Sequence, residues 1–143
     1  MTAAGGPATE FLVPPGRDVE AMAKLGLGGT AVAAGRMFAG AMAIDLRTIS
    51  RLPEAETVAD ETRICFDSVA STLGLGGCTL RDIAKLTCYV SDREHIPEMW
   101  RTLDEIFAPG PYPKRITLVA GIAGDCRVEF EVVAVKPEEA GVR

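Results

Sequence analysis

The sequence predicts an α+β domain whose elements follow the order ββαβαββ. Apolar residues recur at helical spacing in two segments, one starting after Pro53 and one spanning residues 96–107. Around them, short runs that alternate or are rich in β-branched residues indicate strands. Because both hairpins and helices connect these strands, we expect a mixed sheet with two helices packed on one face.

The chain divides into three segments by composition. Residues 1–25 are predicted to be an arm that is flexible or covers a neighbouring site, since residues 1–16 are rich in Ala, Gly and Pro. A short helix is expected from Asp18 to Leu25, ended by the glycines that follow. Residues 26–137 form the single predicted domain, and 138–143 form a tail.

The first half of the domain combines a hairpin with a helix. Residues 30–34 and 36–44 are predicted strands around the turn residue Gly35. Acidic residues follow Pro53, the apolar stripe begins at Val58, and Gly74 ends the helix.

The second helix has the clearest pattern. Residues 83–90 form a short strand, and Ser91 to Glu94 fit a capping box ahead of the apolar stripe of residues 96–107. The prolines from Pro109 onward end this helix. Trp100 and Leu103 lie on the stripe, so both are expected in the core.

The last two strands are predicted to pair as a hairpin through residues 121–125. Alternation then puts one set of side chains toward the helices. These are Ile116, Leu118, Ala120, Val128, Phe130, Val132 and Ala134. The other face carries Arg115, Thr117, Val119, Arg127, Glu129, Glu131, Val133 and Val135, with Arg115 opposite Glu129 or Glu131. This face is half apolar, so we expect a homo-oligomer.

Composition excludes several classes of protein. The 143 residues are 48% hydrophobic and 24% charged, as in a globular domain. The net charge of −5 disfavours binding to nucleic acid. No apolar run is long enough to cross a membrane, and a cytoplasmic protein is expected. The four cysteines form no Cys-x-x-Cys pair, which disfavours a metal site.

Arg115 and its carboxylates allow two interpretations. They form either an exposed cross-strand ion pair or a site for a small anionic substrate. In the second case, Arg115 binds a substrate carboxylate, and a partly desolvated glutamate exchanges protons with water or a nitrogen.

The sequence resembles the Rid family of reactive-intermediate deaminases, also called the YjgF family, over residues 30–136. The segment 62–92 is similar to the family's central helix and strand, especially 82–92. Pro113-Lys114-Arg115 resembles the family's Pro-x-Arg, and residues 128–134 resemble its closing strand, which contains a glutamate.

This resemblance implies a chorismate-mutase-like homotrimer whose sheets form a central barrel, with three clefts between subunits. It also implies hydrolysis of an enamine or imine of a 2-amino acid to a keto acid and ammonia, without metal or organic cofactor. Arg115 would hold the carboxylate and Glu129 would position water. Gly40, Thr117, Ile116 and Ala39 would line the pocket.

The pocket differs from the family pattern at several positions. Gly28 and Leu103 stand where tyrosines are typical, and Trp100 stands where an asparagine is common. Ala39-Gly40-Ala41 replaces Ser-Gly-Gln, and Ile116 replaces a threonine. The loss of polar groups favours a bulkier or more apolar imine, or a different reaction.

Three functions therefore compete. The first is the deaminase, on a substrate that could be of aminomuconate type. The second is a trimer that binds a small carboxylate without catalysis. The third is RNA cleavage, which is ascribed to some family members and is disfavoured by the acidic composition.

Overall fold

The central strand of the main sheet comes last in the sequence. In the computed structural model, which describes residues 8–138, six strands pair in the order β1-β2-β3-β8-β6-β7. These strands are β1 (Glu10–Leu12), β2 (Thr30–Ala33), β3 (Arg36–Ala41), β6 (Ile83–Val90), β7 (Lys114–Val119) and β8 (Val128–Val135). A separate two-stranded sheet consists of β4 (Ile44–Asp45) and β5 (Ser50–Arg51).

Three α-helices accompany the strands. They are α1 (Val19–Lys24), α2 (Val58–Leu75) and α3 (Ile96–Phe107), and the two predicted long helices are thus confirmed. Thr57 caps α2 through a capping box with Asp60. Short 3-10 helices at Leu80–Asp82 and Arg93–His95 precede β6 and α3.

Part of the predicted N-terminal arm is paired with the sheet. β1 pairs antiparallel with β2, and the predicted short helix is present as α1. β2 and β3 form the expected hairpin, with positive φ at Ala34 and Gly35, as in a two-residue turn. Residues 1–7 of the arm and 139–143 of the predicted tail lie outside the described residues.

The mixed α+β architecture is confirmed, but the predicted final hairpin is wrong. β8 lies between β3 and β6 and is antiparallel to both, whereas β7 pairs in parallel with β6 at the sheet edge. The helix α3 connects β6 to β7, as a parallel pair requires. The segment between β7 and β8 therefore carries the chain past β6 rather than folding it into a turn.

The core lies between one sheet face and the helices α2 and α3. Phe66 of α2 contacts Phe107 of α3 and Phe130 of β8, with ring centroids 5.5 and 4.9 Å apart. We call the side covered by the helices the helix face and the other side the open face. The alternation predicted for β8 is confirmed, because Val128, Phe130, Val132 and Ala134 are all buried on the helix face.

Candidate functional site

Arg115 and Thr117 lie on the helix face of the edge strand β7. In the parallel register Arg115 pairs with Leu86 and Thr117 with Cys88, and both partners are buried in the core. Paired residues project from the same side of a sheet. The prediction that Arg115 and Thr117 share a face with Glu129 is therefore wrong. Ile116 and Leu118, which were expected toward the helices, lie on the open face and are 46% and 43% exposed.

Trp100 lies beside these two residues and not in the core, where the apolar stripe of α3 predicted it. Its side chain is 43% exposed. Its indole Nε1–H donates a hydrogen bond of 2.9 Å to Thr117 Oγ1. The Arg115 Cζ lies 5.1 Å from the centroid of the Trp100 ring, within range of a cation–π contact. Leu103, one turn further along α3, is buried as predicted.

The Arg115 guanidinium is available to a ligand. Among residues 8–138, no carboxylate lies within ion-pair distance of it. Arg115 also lines a cavity of about 430 Å³, together with Asp104, Tyr112 and others. An exposed guanidinium with unused donors binds a carboxylate through two parallel hydrogen bonds. This part of the site, with Arg115, Thr117 and Trp100, is called the arginine cluster below.

Glu129 belongs to a second group of residues, on the open face. It lines a cavity of about 240 Å³ together with Gly28, Gly40 and Arg17, among mostly apolar side chains. Burial, and to a lesser extent the nearby Glu131 carboxylate, raises the pKa of Glu129 above its ordinary value. Glu131 is more exposed and pairs with Gly40 across the β3–β8 ladder. We call the set of Glu129, Gly28 and Gly40 the glutamate cluster.

The two clusters do not meet within one chain. β6 separates β7 from β8, so the backbones of Arg115 and Glu129 are at least about 10 Å apart. Their side chains also leave the sheet on opposite faces. The predicted cross-strand contact between Arg115 and Glu129 or Glu131 is therefore wrong, because it depended on a hairpin that does not form.

The other residues predicted for the pocket are divided between core and surface. Ala39 is buried in the core on the helix face of β3. Ile116 projects from the open face, away from the arginine cluster. Gly40 and Ala41 both line the 240 Å³ cavity with Glu129. Gly28 has space beside it, since a β-carbon there would meet the Phe11 ring only at 3.6 Å.

A buried ion pair that the sequence analysis did not identify fixes the start of β8. Glu61 of α2 is fully buried, and its carboxylate accepts hydrogen bonds from the backbone N–H groups of Arg127 and Val128 at 2.7 and 3.0 Å. It also accepts one from Arg127 Nε at 2.8 Å, while Arg127 Nη2 donates to the Ala55 carbonyl. This network holds the backbone two residues ahead of Glu129.

The position of Arg127 corrects its predicted place on the open face. Arg127 precedes β8, so strand alternation does not govern its direction. A signal for the pair existed in the sequence, because Glu61 lies three residues after Val58 and beside Thr62 on the buried side of α2. A carboxylate on the apolar side of a helix requires a partner.

The cysteines do not add a nucleophile to either cluster. All four are free and buried. Burial raises the pKa of Cys126 to about 11 and that of Cys88 to about 12, so both stay protonated near neutral pH. Within residues 8–138, no helix has the length and hydrophobicity needed to cross a membrane.

The sequence matches a known family over most of its length. The family model described as Endoribonuclease L-PSP matches residues 29–136. The RutC family protein YjgH of Escherichia coli (strain K12) is 32% identical over 84 residues. That alignment covers 55% of this chain and 61% of YjgH, so the matched segment spans about three fifths of the relative's length.

Solved structures share the fold. A structure described as protein YJGH has a TM-score of 0.78 at 22% identity and covers 93% of this chain and all of its own. NMB1025 of Neisseria meningitidis, a member of the YjgF protein family, has a TM-score of 0.71 at 22% identity, covering 92% and 97%. A Giardia lamblia protein reaches 0.72 at 22% identity, covering 90% and 99%.

Proposed function

The chain belongs to the Rid family, also called the YjgF family, and from this premise we propose that it hydrolyses a small enamine or imine carboxylic acid to a keto acid and ammonia. The reaction takes place in clefts between subunits. Arg115 binds the substrate carboxylate and Glu129 positions and activates water. No metal or organic cofactor takes part.

The observation that carries this proposal is the placement of Arg115 and Glu129 on opposite faces of one sheet. In the proposed site, the arginine cluster supplies a carboxylate-binding guanidinium and the glutamate cluster supplies a proton acceptor beside a cavity. We propose that, in a closed ring of identical subunits, the arginine cluster of one copy faces the glutamate cluster of the next. Every copy then contributes to two sites.

The open face supports the same assembly. Its exposed apolar side chains are Phe38, Ile116, Leu118 and Val135. They come from β3, β7 and β8 and therefore spread across the sheet. Burying such a face against identical copies removes apolar area from water, which favours association. We propose a homotrimer in which the open faces form a central barrel.

The raised pKa of Glu129 suits its proposed role. A carboxylate with a raised pKa is a stronger base than an ordinary glutamate, so it accepts a proton from water more readily. The water oxygen adds to the imine carbon, and Glu129 takes the water proton. The same proton then passes to the nitrogen, which becomes the amino group of a carbinolamine. Glu129 next carries the hydroxyl proton to that amino group, the carbon–oxygen double bond forms as the carbon–nitrogen bond breaks, and the products are ammonia and the 2-keto acid.

The lining of the cavity favours an apolar substrate side chain. Leu12, Met22, Leu27 and Met42 border the same space as Glu129 and Gly40. Gly28 contributes no side chain there, which leaves more room than a larger residue would. Such a pocket favours substrates with larger apolar groups, because the pocket has few hydrogen-bonding groups to satisfy a polar one.

The test is ammonia and keto-acid release from freshly generated 2-imino acids that range from small to bulky and aromatic. Wild-type protein, Arg115→Ala and Glu129→Gln are compared with Leu75→Ala, an exposed residue outside both clusters. We expect acceleration by wild type and by Leu75→Ala, with loss in both cluster variants. Equal rates in all four proteins would exclude the proposed reaction.

The two alternative functions predict different results. If the protein binds keto acids through Arg115 without releasing ammonia from any imine, it is a non-catalytic carboxylate-binding trimer or a relative with a different substrate, for instance of aminomuconate type. RNA cleavage is disfavoured by the net charge of −5. Salt-sensitive RNA binding would support it.

A further inference from the structure

Trp100 contacts both polar residues of the arginine cluster. Its indole N–H donates to the Thr117 hydroxyl at 2.9 Å, and its ring lies 5.1 Å from the Arg115 Cζ. Thr117 and Arg115 are two residues apart on β7, so they project from the same face. One side chain of α3 is thus joined to both.

The hydrogen bond fixes the orientation of the ring. Trp100 is 43% exposed, and an exposed side chain without a polar contact samples several rotamers. With Nε1 held by Thr117, the ring is kept against the guanidinium. Met99 and Leu103, its neighbours on α3, are buried and hold the helix against the sheet.

The Arg115 guanidinium, which lies over the Trp100 ring, keeps its donors free. An arginine packed on a ring face uses the π-cloud, whereas its N–H groups lie in the guanidinium plane and can still bind a carboxylate. Arg115 has no ion-pair partner among residues 8–138 and lines a cavity of about 430 Å³ that Trp100 does not line. A mobile arginine would lose rotamer entropy on binding, and an arginine held against a ring has already lost part of that entropy.

We propose that Trp100 is a positioning residue that holds Arg115, through its contact with Thr117, in the conformation that binds the substrate carboxylate. This inference rests on the proposed function for the identity of the ligand class. It assigns no chemical step to Trp100. It predicts an effect on carboxylate binding and little effect on turnover of bound substrate.

The chain contains a single tryptophan, which gives a direct measurement. Sodium 2-oxobutanoate is titrated into the full-length protein while indole emission is recorded. Its methyl ester, which lacks the carboxylate, is the ligand control, and Arg115→Gln is the protein control. We expect 2-oxobutanoate to change the indole emission of the wild-type protein in a saturable way. The methyl ester should cause no such change, and neither should 2-oxobutanoate added to Arg115→Gln. No saturable change in wild type would overturn the inference.

Three substitutions separate the two contacts. Trp100→Phe keeps an aromatic face and loses the N–H donor, Thr117→Val removes the acceptor, and Trp100→Leu removes both contacts. Calorimetric titration with 2-oxobutanoate measures Kd in every variant, and Leu75→Ala controls for the loss of an exposed apolar side chain. We expect Trp100→Leu to weaken binding by about 3- to 30-fold, the range of a cation–π contact.

The double variant Trp100→Phe, Thr117→Val tests the coupling. Both single changes break the same hydrogen bond. The double variant should therefore bind 2-oxobutanoate with a Kd no higher than that of the single variant with the higher Kd. With an imine substrate, KM should rise in Trp100→Leu while kcat stays within about twofold of wild type. Additive losses, an unchanged Kd in Trp100→Leu, or a fall in kcat alone would each overturn the positioning role.

The inference and the proposed function fail in different ways. Arg115-dependent binding of 2-oxobutanoate that weakens in Trp100→Leu, without ammonia release from any imine, excludes the deaminase and supports the positioning role of Trp100. The opposite result is ammonia release that is lost in Arg115→Ala while Trp100→Leu keeps the wild-type KM. That result supports the deaminase and excludes the positioning role of Trp100.

Discussion

Arg115 and Glu129 lie on opposite faces of the same sheet, and β6 runs between the strands that carry them. Neither residue reaches the other within one chain. A site that needs both must therefore take them from two copies, and this relationship determines how the site is best tested.

Two inactive variants should restore activity to each other when mixed. Arg115→Ala and Glu129→Gln are unfolded and refolded together, and ammonia release is compared with that of each variant alone. In a cyclic trimer with random assortment, about a quarter of the clefts receive an intact Arg115 and an intact Glu129. Recovery near this fraction is expected, whereas no recovery in verified mixed trimers would contradict a site that takes Arg115 and Glu129 from two copies.

The open face should control assembly. Ile116→Glu and Leu118→Glu place charges among its apolar side chains, and burying a charge at an interface is unfavourable. Each variant should dissociate to smaller species when measured by size-exclusion chromatography with light scattering. Val19→Glu, an equally drastic change at an exposed site on α1, should keep the wild-type mass. Wild-type mass in all three would argue against an interface on this face.

Glu129 should make stability depend on pH in a defined direction. Because folding raises its pKa above the ordinary value, the folded state binds its proton more tightly than the unfolded state does. This contribution favours the folded state below the ordinary pKa and is lost as pH rises through the raised one. Glu129→Gln should therefore raise Tm relative to wild type at neutral pH and lose that advantage at acidic pH.

Thermal melts from acidic to neutral pH measure this difference. Glu54→Gln serves as the control, since Glu54 is exposed and its replacement leaves both Glu129 and Glu131 in place. A Tm difference between wild type and Glu129→Gln that is constant with pH would contradict the predicted titration.

The buried pair of Glu61 and Arg127 should be the costliest ion pair to break. Glu61→Gln leaves the Arg127 guanidinium without its charge partner and disturbs two backbone hydrogen bonds. We expect the free energy of unfolding to fall by about 3–5 kcal/mol, measured by urea titration. The matched control is Glu105→Gln, whose exposed pair with Arg63 should contribute less than about 1 kcal/mol.

An equal loss in the two variants would show that burial does not determine the contribution of these pairs. A loss in Glu61→Gln should also be larger than that in Asp60→Asn, which weakens only the exposed capping box of α2.

The sequence by itself determined most of the elements, though not β1, β4 or β5, and it determined the buried face of β8. Helices α2 and α3 follow from local apolar periodicity, and the burial of Val128, Phe130, Val132 and Ala134 follows from alternation. Strand β6 follows from its β-branched content and the loop residues on either side. Periodicity reports which side of an element meets the core, because that side must be apolar along its whole length. The alternation of the last strands also indicated Arg115 and Glu129 as candidate site residues, whereas Gly40 followed from the family resemblance.

Only the tertiary structure decided which strands are neighbours. The strand order β3-β8-β6-β7 and its registers put Arg115 and Glu129 on opposite faces. Packing between distant elements brought Trp100 out of the predicted core to Thr117 and paired Glu61 with Arg127. The alternation of apolar and polar residues along a strand does not predict strand order, because that alternation is the same whichever strand is its neighbour. Contacts between residues far apart in sequence depend on that order, and so does the division of the candidate site between two faces.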